Sequence, residues 1–247
     1  MHPVPPPAQP NQSLIDGLTV LQALAVASGP VGGRALAREL DLEPTRVNRL
    51  LKTLAFLGMA EQTSDRKYLP GPGMHILAAR SLYGSGLVTR AMPHLEQLVA
   101  KYDRVVALGV LWRDQVSYLY HWQPGITSVE AVGRLNAYPA SQSSIGRVIL
   151  ARASEDYVRA LYQDKEIPLF PAGIDDLLAA LRKEREQGYA FVVQRAEPFT
   201  SSLAVPLGNP PYAGLALGGG VPPEQVEECV IALREAAREI ESARGKK

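Results

Sequence analysis

Apolar positions between residues 33 and 58 repeat with a helical period in two short segments. The first segment has three apolar positions, namely Leu36, Ala37 and Leu40. After a break at residues 41–43, the second segment carries a stripe at spacings of three and four residues. This stripe consists of Val47, Leu50, Leu51, Leu54 and Leu57. Pro44 suits the first turn of the second helix, and Gly58 suits the position after its end.

The face of the second helix opposite this stripe is polar. It contains Thr45, Asn48, Arg49 and Lys52, with Arg46 on its flank. Asn and Arg make paired hydrogen bonds with adenine and guanine edges, while Thr and Lys readily hold phosphates. The two segments therefore predict a helix-turn-helix whose second helix recognises DNA. The alternative is an ordinary helical hairpin with a solvated polar face.

The segments on either side extend this interpretation to a winged helix-turn-helix over residues 13–72. Strand-like runs at 59–62 and 67–70 enclose turn residues and predict a two-stranded wing. The candidate DNA contacts outside the second helix are Arg34, and Arg66 and Lys67 at the wing tip. A plain surface hairpin is the alternative for the wing. Upstream, Ser13 is the candidate cap of a first helix. The predicted apolar stripe of that helix is Leu14, Leu18, Leu21, Leu24 and Ala25.

The second half of the chain changes to a period of two. Runs at 105–112 and 116–122 predict a β-hairpin, and residues 128–135 predict a third strand. The further predicted elements are helices at 144–152, 155–162, 175–187 and 224–244, and strands at 189–194, 201–207 and 212–217. We therefore predict an α+β protein in which a linker helix at 73–91 joins the N-terminal winged helix-turn-helix to a mainly antiparallel sheet domain at 92–247.

Composition and charge restrict the classes of partner. The 247 residues carry 26 basic and 25 acidic side chains, a net charge of +1, so DNA contact must depend on a local basic patch. No apolar run approaches the roughly 18 residues of a membrane span. The Pro-rich residues 1–12 lack the pattern of a signal peptide and are expected to be disordered. A cytoplasmic protein with no membrane contact is expected.

Metal, cofactor and catalytic chemistry find little support. Cys229 is the single cysteine, which excludes an internal disulfide and a thiolate cluster. The histidines are scattered without metal-ligand spacing, and the glycines at 214–220 do not precede a helix, as a phosphate loop requires. We therefore predict no metal, no cofactor and no catalytic residues.

Seven segments in order resemble the IclR family of bacterial transcriptional regulators from residue 13 onward. They are residues 13–21, 47–54, 68–71, 93–98, 145–151, 188–190 and 203–206. The resemblance implies that the N-terminal domain binds duplex operator DNA and that a C-terminal GAF-like domain binds a small effector, often an organic acid or an aromatic catabolite. It also implies a homodimer or a dimer of dimers. A dimer predicts a palindromic operator, because two-fold symmetry doubles the site that one helix reads.

The resemblance also implies where the effector binds. The implied ligand-binding residues are Tyr138, Ser143, Ser144, Ile145, Gly146, Val192, Arg195, Phe199, Ser202, Leu203, Ala204, Ala216, Leu217 and Gly218. Several positions depart from the family's pattern, since Val192 replaces an acid, Phe199 a glycine and Gly218 a serine. These departures predict a ligand that is larger and more apolar than glyoxylate or pyruvate. The carboxylate of that ligand would be held by Arg195 or by the amides of Ile145 and Gly146.

Three other interpretations stay open at this point. The departures can be core substitutions without consequence for a ligand, or the sensor function can be lost. The chain can also be a small-molecule-binding protein or an enzyme with a vestigial DNA-binding domain, an interpretation that Trp112, Trp122 and the strand-rich second half would support.

Overall fold

The fold is given by a computed structural model that describes residues 8–133, 137–194 and 200–245. The described chain divides into two units, one ending at Gly86 and the other beginning at Leu87. The α+β fold class predicted from the sequence is confirmed, with a helical N-terminal unit and a sheet-containing C-terminal unit. Most of the tail predicted at 1–12 lies outside the described residues.

The N-terminal unit consists of four helices and a two-stranded sheet. In chain order these are α1 Gln12–Val26, α2 Gly33–Glu39, α3 Pro44–Phe56, β1 Ala60–Gln62, β2 Tyr68–Pro70 and α4 Pro72–Ser85. Its core is formed by Val20, Leu24, Leu36, Ala37, Val47, Leu51, Ala60 and Tyr68. The strands β1 and β2 pair antiparallel, and Val31 adds a bridge to Tyr68 on the open side of the pair. The predicted winged helix-turn-helix is therefore present.

The start and the buried face of α1 differ from the sequence-based prediction. The side chain of Asn11, rather than that of Ser13, caps the helix by accepting a hydrogen bond from the Leu14 amide at 3.1 Å. The buried residues of α1 are Asp16, Val20 and Leu24, whereas Leu14 and Leu18 are exposed. Apolar residues occupy several sides of this helix, so its sequence pattern alone did not determine which side faces the core.

The C-terminal unit is a six-stranded antiparallel sheet with helices on both faces. Its elements are α5 Leu87–Tyr102, β3 Val105–Trp112, β4 Gln115–Trp122, β5 Tyr138–Pro139, α6 Ser144–Leu150, α7 Glu155–Leu161, α8 Ile174–Gln187, β6 Ala190–Gln194, β7 Thr200–Leu207, β8 Ala213–Gly218 and α9 Val226–Ser242. The strand order is β5-β4-β3-β8-β7-β6, so β5 and β6 are the two edges.

Two apolar cores lie on opposite faces of this sheet. On one face, α5 and α9 pack against side chains such as Leu108, Leu203 and Leu217. On the other face, α6 covers a row of alanines from four neighbouring strands. These residues, Ala107, Ala216, Ala204 and Ala190, are directly paired across β3, β8, β7 and β6. Their small side chains let α6 approach the sheet closely, and α8 packs on α6.

Two predicted elements of the C-terminal half are different in the structure. Residues 128–133 form turns with one isolated bridge at Val132 instead of a strand, and 134 and 135 lie outside the described residues. A local network explains the turn, because the carboxylate of Glu130 accepts hydrogen bonds from the amide and the hydroxyl of Thr127, both at 2.8 Å. The linker predicted at 73–91 is interrupted at Gly86, whose left-handed backbone (φ 58°) ends α4 before α5 begins.

Candidate DNA-binding surface and ligand pocket

The exposed face of α3 is the candidate DNA-binding surface. Pro44 occupies the first turn of this helix, and Val47 and Leu51 anchor it in the core with no exposed surface. At about 100° per residue, the predicted contacts on α3 project away from those two side chains. The exposed depression on this side is lined by Thr45, Asn48, Arg49, Lys52, Thr53 and Phe56. The structure therefore brings four of the predicted DNA contacts together on one surface.

A close approach between α2 and α3 places the side chain of Asn48 against the backbone of Gly33. A Cβ atom built on Gly33, the first residue of α2, would lie 2.5 Å from the side-chain oxygen of Asn48 and 3.3 Å from Leu51. Only a residue without a side chain leaves this space to Asn48. Arg34, the next residue of α2, is exposed.

Arg46 has a partner within the protein. Its Nε atom lies 2.6 Å from a carboxylate oxygen of Asp16 on α1, and the Asp16 residue is only 3% exposed. The other carboxylate oxygen of Asp16 accepts a hydrogen bond from Gln12 at 2.7 Å. This ion pair connects the N-terminal turn of α3 to α1. By contrast, Arg49 and Lys52 form no ion pair with any residue in the described part of the chain.

The wing tip carries the remaining two predicted DNA contacts. Arg66 adopts a left-handed backbone (φ 61°) in the turn between β1 and β2. Lys67 lies beside it, but its Nζ atom is 2.9 Å from Asp65 in an exposed ion pair. The hydroxyl of Thr63 donates to Asp65, and this hydrogen bond and the one from Lys67 lower the pKa of the Asp65 carboxyl. Water and salt screen such an exposed pair, so it holds Lys67 only weakly.

A cavity of about 270 Å³ opens on the sheet face that carries α6. Its floor is a row of neighbouring residues, each two positions along its strand from the alanine row, namely Val105, Gly218, Ser202 and Val192 on β3, β8, β7 and β6. The remaining lining residues are Tyr118, His121, Tyr138, Gln142, Ser143, Gln194, Thr200, Ser201 and Gly219. Among the described lining residues, none is an aspartate, glutamate, lysine or arginine.

Five of the residues expected at the ligand site line this cavity. They are Tyr138, Ser143, Val192, Ser202 and Gly218. Five others, Ser144, Ile145, Gly146, Ala204 and Ala216, are buried on the α6 side outside the cavity lining. Leu203 and Leu217 belong to the core on the opposite face of the sheet, because side chains alternate along a strand. Arg195 and Phe199 lie outside the described residues.

Ser143 shows why the amide of Gly146 is not available to an anion. The hydroxyl of Ser143 caps α6 by accepting a hydrogen bond from this amide at 3.3 Å. The same hydroxyl lies 3.2 Å from the phenol oxygen of Tyr118. Burial raises the pKa of Tyr118, and its hydrogen bond with Ser143 opposes that shift in part. One of the two amides expected to hold a carboxylate, that of Gly146, is therefore already occupied by a side chain of the protein itself.

A β-bulge brings two missed residues, Tyr118 and His121, to the same wall of the cavity. In the pairing of β4 with β3, Tyr118 opposes Gly109 and Tyr120 opposes Leu108, so Leu119 has no opposite residue. The extra residue reverses the alternation of side chains along β4. The rings of Tyr118 and His121 consequently meet edge to face at 5.3 Å. Strict alternation would have placed these two residues on opposite faces.

Neither a metal-binding cluster nor a membrane-spanning helix occurs in the part of the chain that the structure describes. Within the described residues, no group of three or more His, Cys, Asp or Glu side chains is arranged to hold a metal ion. In the same part of the chain, no helix has the length and apolar character needed to cross a membrane.

Comparison with known families decides the identity of this arrangement. Residues 13–64 match the model of the IclR helix-turn-helix domain, and residues 79–241 match that of the bacterial transcriptional regulator IclR C-terminal domain. The chain belongs to the IclR family. Members of this family are DNA-binding transcriptional regulators and not enzymes.

Individual family members are similar over nearly the whole chain. The HTH-type transcriptional regulator BhcR of Paracoccus denitrificans is 28% identical over 93% of this chain and 86% of its own length. A crystal structure of an IclR family regulator from Brucella abortus is 26% identical, with a TM-score of 0.78 over 96% of this chain and 94% of that chain. An IclR homologue from Microbacterium hydrocarbonoxydans, solved with 4-hydroxybenzoate, has a TM-score of 0.72 at 22% identity over 95% of this chain and all of that chain.

Proposed function

We propose that this IclR-family regulator binds operator DNA through the exposed face of α3 and that a ligand in the sheet cavity changes its affinity for DNA. The observation that carries the first part is the grouping of Thr45, Asn48, Arg49 and Lys52 opposite the buried side of α3. A helix of this diameter fits the major groove of duplex DNA. Such a regulator acts in the cytoplasm, on bacterial operator DNA.

The chemistry of each side chain suggests its role at the DNA. Asn48 and Arg49 present the paired donors and acceptors that read adenine and guanine edges. Thr45 and Lys52, which lie two helical turns apart on the same face, hold phosphates. Arg34 and Arg66 supplement these contacts at the N-terminus of α2 and at the wing tip. Arg46 and Lys67, which already have acidic partners, contribute positive charge to the surface rather than base recognition.

A homodimer would account for the exposed apolar residues of α1 and α4. None of the 14 residues of α4 is buried, and its large side chains Ile76, Leu77 and Tyr83 are exposed to solvent. An isolated helix of about this length is only marginally stable in water. A second copy of the chain that covers these side chains and the exposed Leu14 and Leu18 of α1 would stabilise both helices. Two recognition helices related by two-fold symmetry would then read a palindromic operator.

The lining of the cavity favours an aromatic or lipophilic acid as effector. Val105 and Val192 offer apolar contact, and the paired hydroxyls of Tyr118 and Ser143 can accept or donate a hydrogen bond. The volume of about 270 Å³ exceeds what glyoxylate or pyruvate would fill. The homologue solved with 4-hydroxybenzoate offers one probe of this class. Arg195 is the proposed partner of the carboxylate, since the described lining residues include no lysine or arginine.

One experiment tests both parts of the proposal. Duplexes selected by the full-length protein from a random library supply an operator, and fluorescence anisotropy then measures its affinity with and without a panel of acids that includes 4-hydroxybenzoate and pyruvate. The proposal expects that Arg49→Ala weakens operator binding by about 1–3 kcal/mol. It also expects an aromatic acid to change the affinity more than pyruvate does. Failure to select any sequence would contradict the first part, and an operator affinity independent of every acid would contradict the second.

A further inference from the structure

The last residue of α3, Phe56, lies on the same face as the proposed DNA contacts. At about 100° per residue, its direction is within about 20° of that of Thr45 and nearly opposite to those of Val47 and Leu51. Its side chain is almost entirely in solvent, with 88% of the residue exposed. The ring therefore takes no part in the core of the N-terminal unit.

Phe56 is continuous with the polar residues of this surface. It lines the same depression as Arg49 and Lys52, and Lys52 precedes it by one helical turn. Phenylalanine is not among the strong helix formers that suit a merely solvated helix surface. A large apolar ring beside two cations that have no ion-pair partner among the described residues suits a partner that is both anionic and locally apolar. Duplex DNA offers this combination in the major groove, where thymine C5-methyl groups lie between phosphate walls.

We propose that Phe56 contacts the C5-methyl group of a thymine and so sets the sequence preference at one end of each operator half-site. This inference rests on the proposed function of α3. The rise of about 1.5 Å per residue places Phe56 roughly 16 Å along the helix from Thr45. A helix lying along the groove would cover about five base pairs over that length, at 3.4 Å for each step. The thymine in question is therefore about five base pairs from the pair nearest Thr45.

The test uses an operator selected by the full-length protein. Each thymine of a half-site is replaced in turn by deoxyuridine, which removes only the methyl group, and fluorescence anisotropy compares the wild type, Phe56→Ala and the control Leu57→Ala. Leu57 is also exposed but points about 100° away. The wild type should lose about fourfold in affinity at one thymine per half-site, as expected for one buried methyl group. Phe56→Ala should bind the thymine operator more weakly than the wild type does. It should lose no further affinity when that thymine is replaced by deoxyuridine, whereas Leu57→Ala should behave as the wild type.

Three results would overturn the proposal. Phe56→Ala could bind the thymine operator as tightly as the wild type, or it could lose the same factor as the wild type at every deoxyuridine. A change in molecular mass by light scattering for Phe56→Ala, without a change in thymine preference, would assign the ring to a protein interface instead. Arg49→Ala separates this inference from the proposed function. If Arg49→Ala also left operator binding unchanged, α3 itself would not be the DNA-contacting helix and both proposals would fall.

Discussion

The side-chain amide of Gln194 donates a hydrogen bond to the phenol oxygen of Tyr138 across 2.8 Å and joins the two edge strands of the six-stranded sheet. Tyr138 belongs to β5 and Gln194 to β6, so four strands lie between them in the sheet. Both residues line the cavity, and the bond passes from one side of it to the other. The sheet is therefore curled, and side chains from opposite edges enclose the ligand pocket.

The first prediction concerns this bond. Tyr138→Phe removes the acceptor oxygen and should lower the free energy of unfolding by about 0.5–1.5 kcal/mol, the usual net contribution of one hydrogen bond. Urea denaturation measures the change. Tyr83→Phe is the control, because Tyr83 is 87% exposed and its hydroxyl can bond to water in either state. Equal unfolding free energies for Tyr138→Phe and the wild type would show that the bond does not hold the two edges together.

The second prediction separates Arg46 from Arg49. Arg46→Ala leaves the buried carboxylate of Asp16 without its cation and should lower the free energy of unfolding by about 1–3 kcal/mol. This loss is smaller than that for a fully buried ion pair, because Arg46 is itself partly exposed. Arg49→Ala should leave stability unchanged and weaken only DNA binding. The double variant Asp16→Ala/Arg46→Ala should recover part of the loss, since it no longer buries an unpaired charge. Thermal unfolding of the four proteins gives the answer, and equal melting temperatures for Arg46→Ala and Arg49→Ala would contradict it.

The third prediction concerns the size of the pocket. A Cβ atom on Gly218 would lie 3.5 Å from that of Val105 and 3.6 Å from that of Ser202, which are ordinary contact distances. Gly218→Ser should therefore fold normally and fill part of the cavity. Thermal shifts with 4-hydroxybenzoate and pyruvate should show a smaller stabilisation by the aromatic acid relative to the wild type. Ala216→Ser is the control, since Ala216 lies beneath α6 and outside the cavity lining. Unchanged stabilisation by 4-hydroxybenzoate in Gly218→Ser would place that ligand elsewhere.

The fourth prediction concerns the buried ion pair between Arg147 on α6 and Glu184 on α8. Burial raises the pKa of the Glu184 carboxyl above its ordinary value, and the charge of Arg147 opposes this shift. Arg147→Met should cost about 3–5 kcal/mol at pH 7, because the carboxylate stays buried without its cation. It should also raise the pKa of Glu184 further. Replacement of both residues by methionine should recover most of the stability.

The pH dependence of this variant has a definite sign. A carboxyl whose pKa is raised on folding holds a proton that the unfolded chain has already released, so stability falls as the pH rises from the ordinary Glu range through the raised pKa. The loss caused by Arg147→Met should therefore be smaller at pH 5 than at pH 7. Denaturation at the two pH values measures this difference, and an equal loss at both would exclude a buried carboxylate as its cause.

The sequence predicted best what local periodicity determines. The stripe of α3 gave the correct buried side at Val47 and Leu51 and the polar surface opposite it, because one helix alone defines both. Its last position, Leu57, was wrong, since this residue follows the helix end and is exposed. The hairpin of β3 and β4 was likewise predicted within one residue at each end. The predicted buried face of α1 was wrong except at Leu24, and the face that is buried includes Asp16, which pairs with Arg46 of another helix. A tertiary ion pair of this kind leaves no local signal in either segment.

The pocket was harder to predict for a related reason. Its residues meet across four paired strands, and their register follows from tertiary structure rather than from any one segment. Leu203 and Leu217 were assigned to the ligand although strand alternation directs them to the opposite core. Tyr118 and His121 were missed because the bulge at Leu119 reverses their expected relationship. The row of alanines that seats α6 could be recognised only once the pairing was known.

The proposed regulatory function depends most on the contact between the exposed face of α3 and the phosphates of duplex DNA. The most direct test is a titration of the selected operator at several salt concentrations with the wild type and with Lys52→Ala. The logarithm of the association constant should fall linearly with the logarithm of the salt concentration, and Lys52→Ala should reduce the slope by about one while weakening all sequences similarly. A slope and an affinity for Lys52→Ala that equal those of the wild type would contradict the assignment of α3 as the DNA-binding helix.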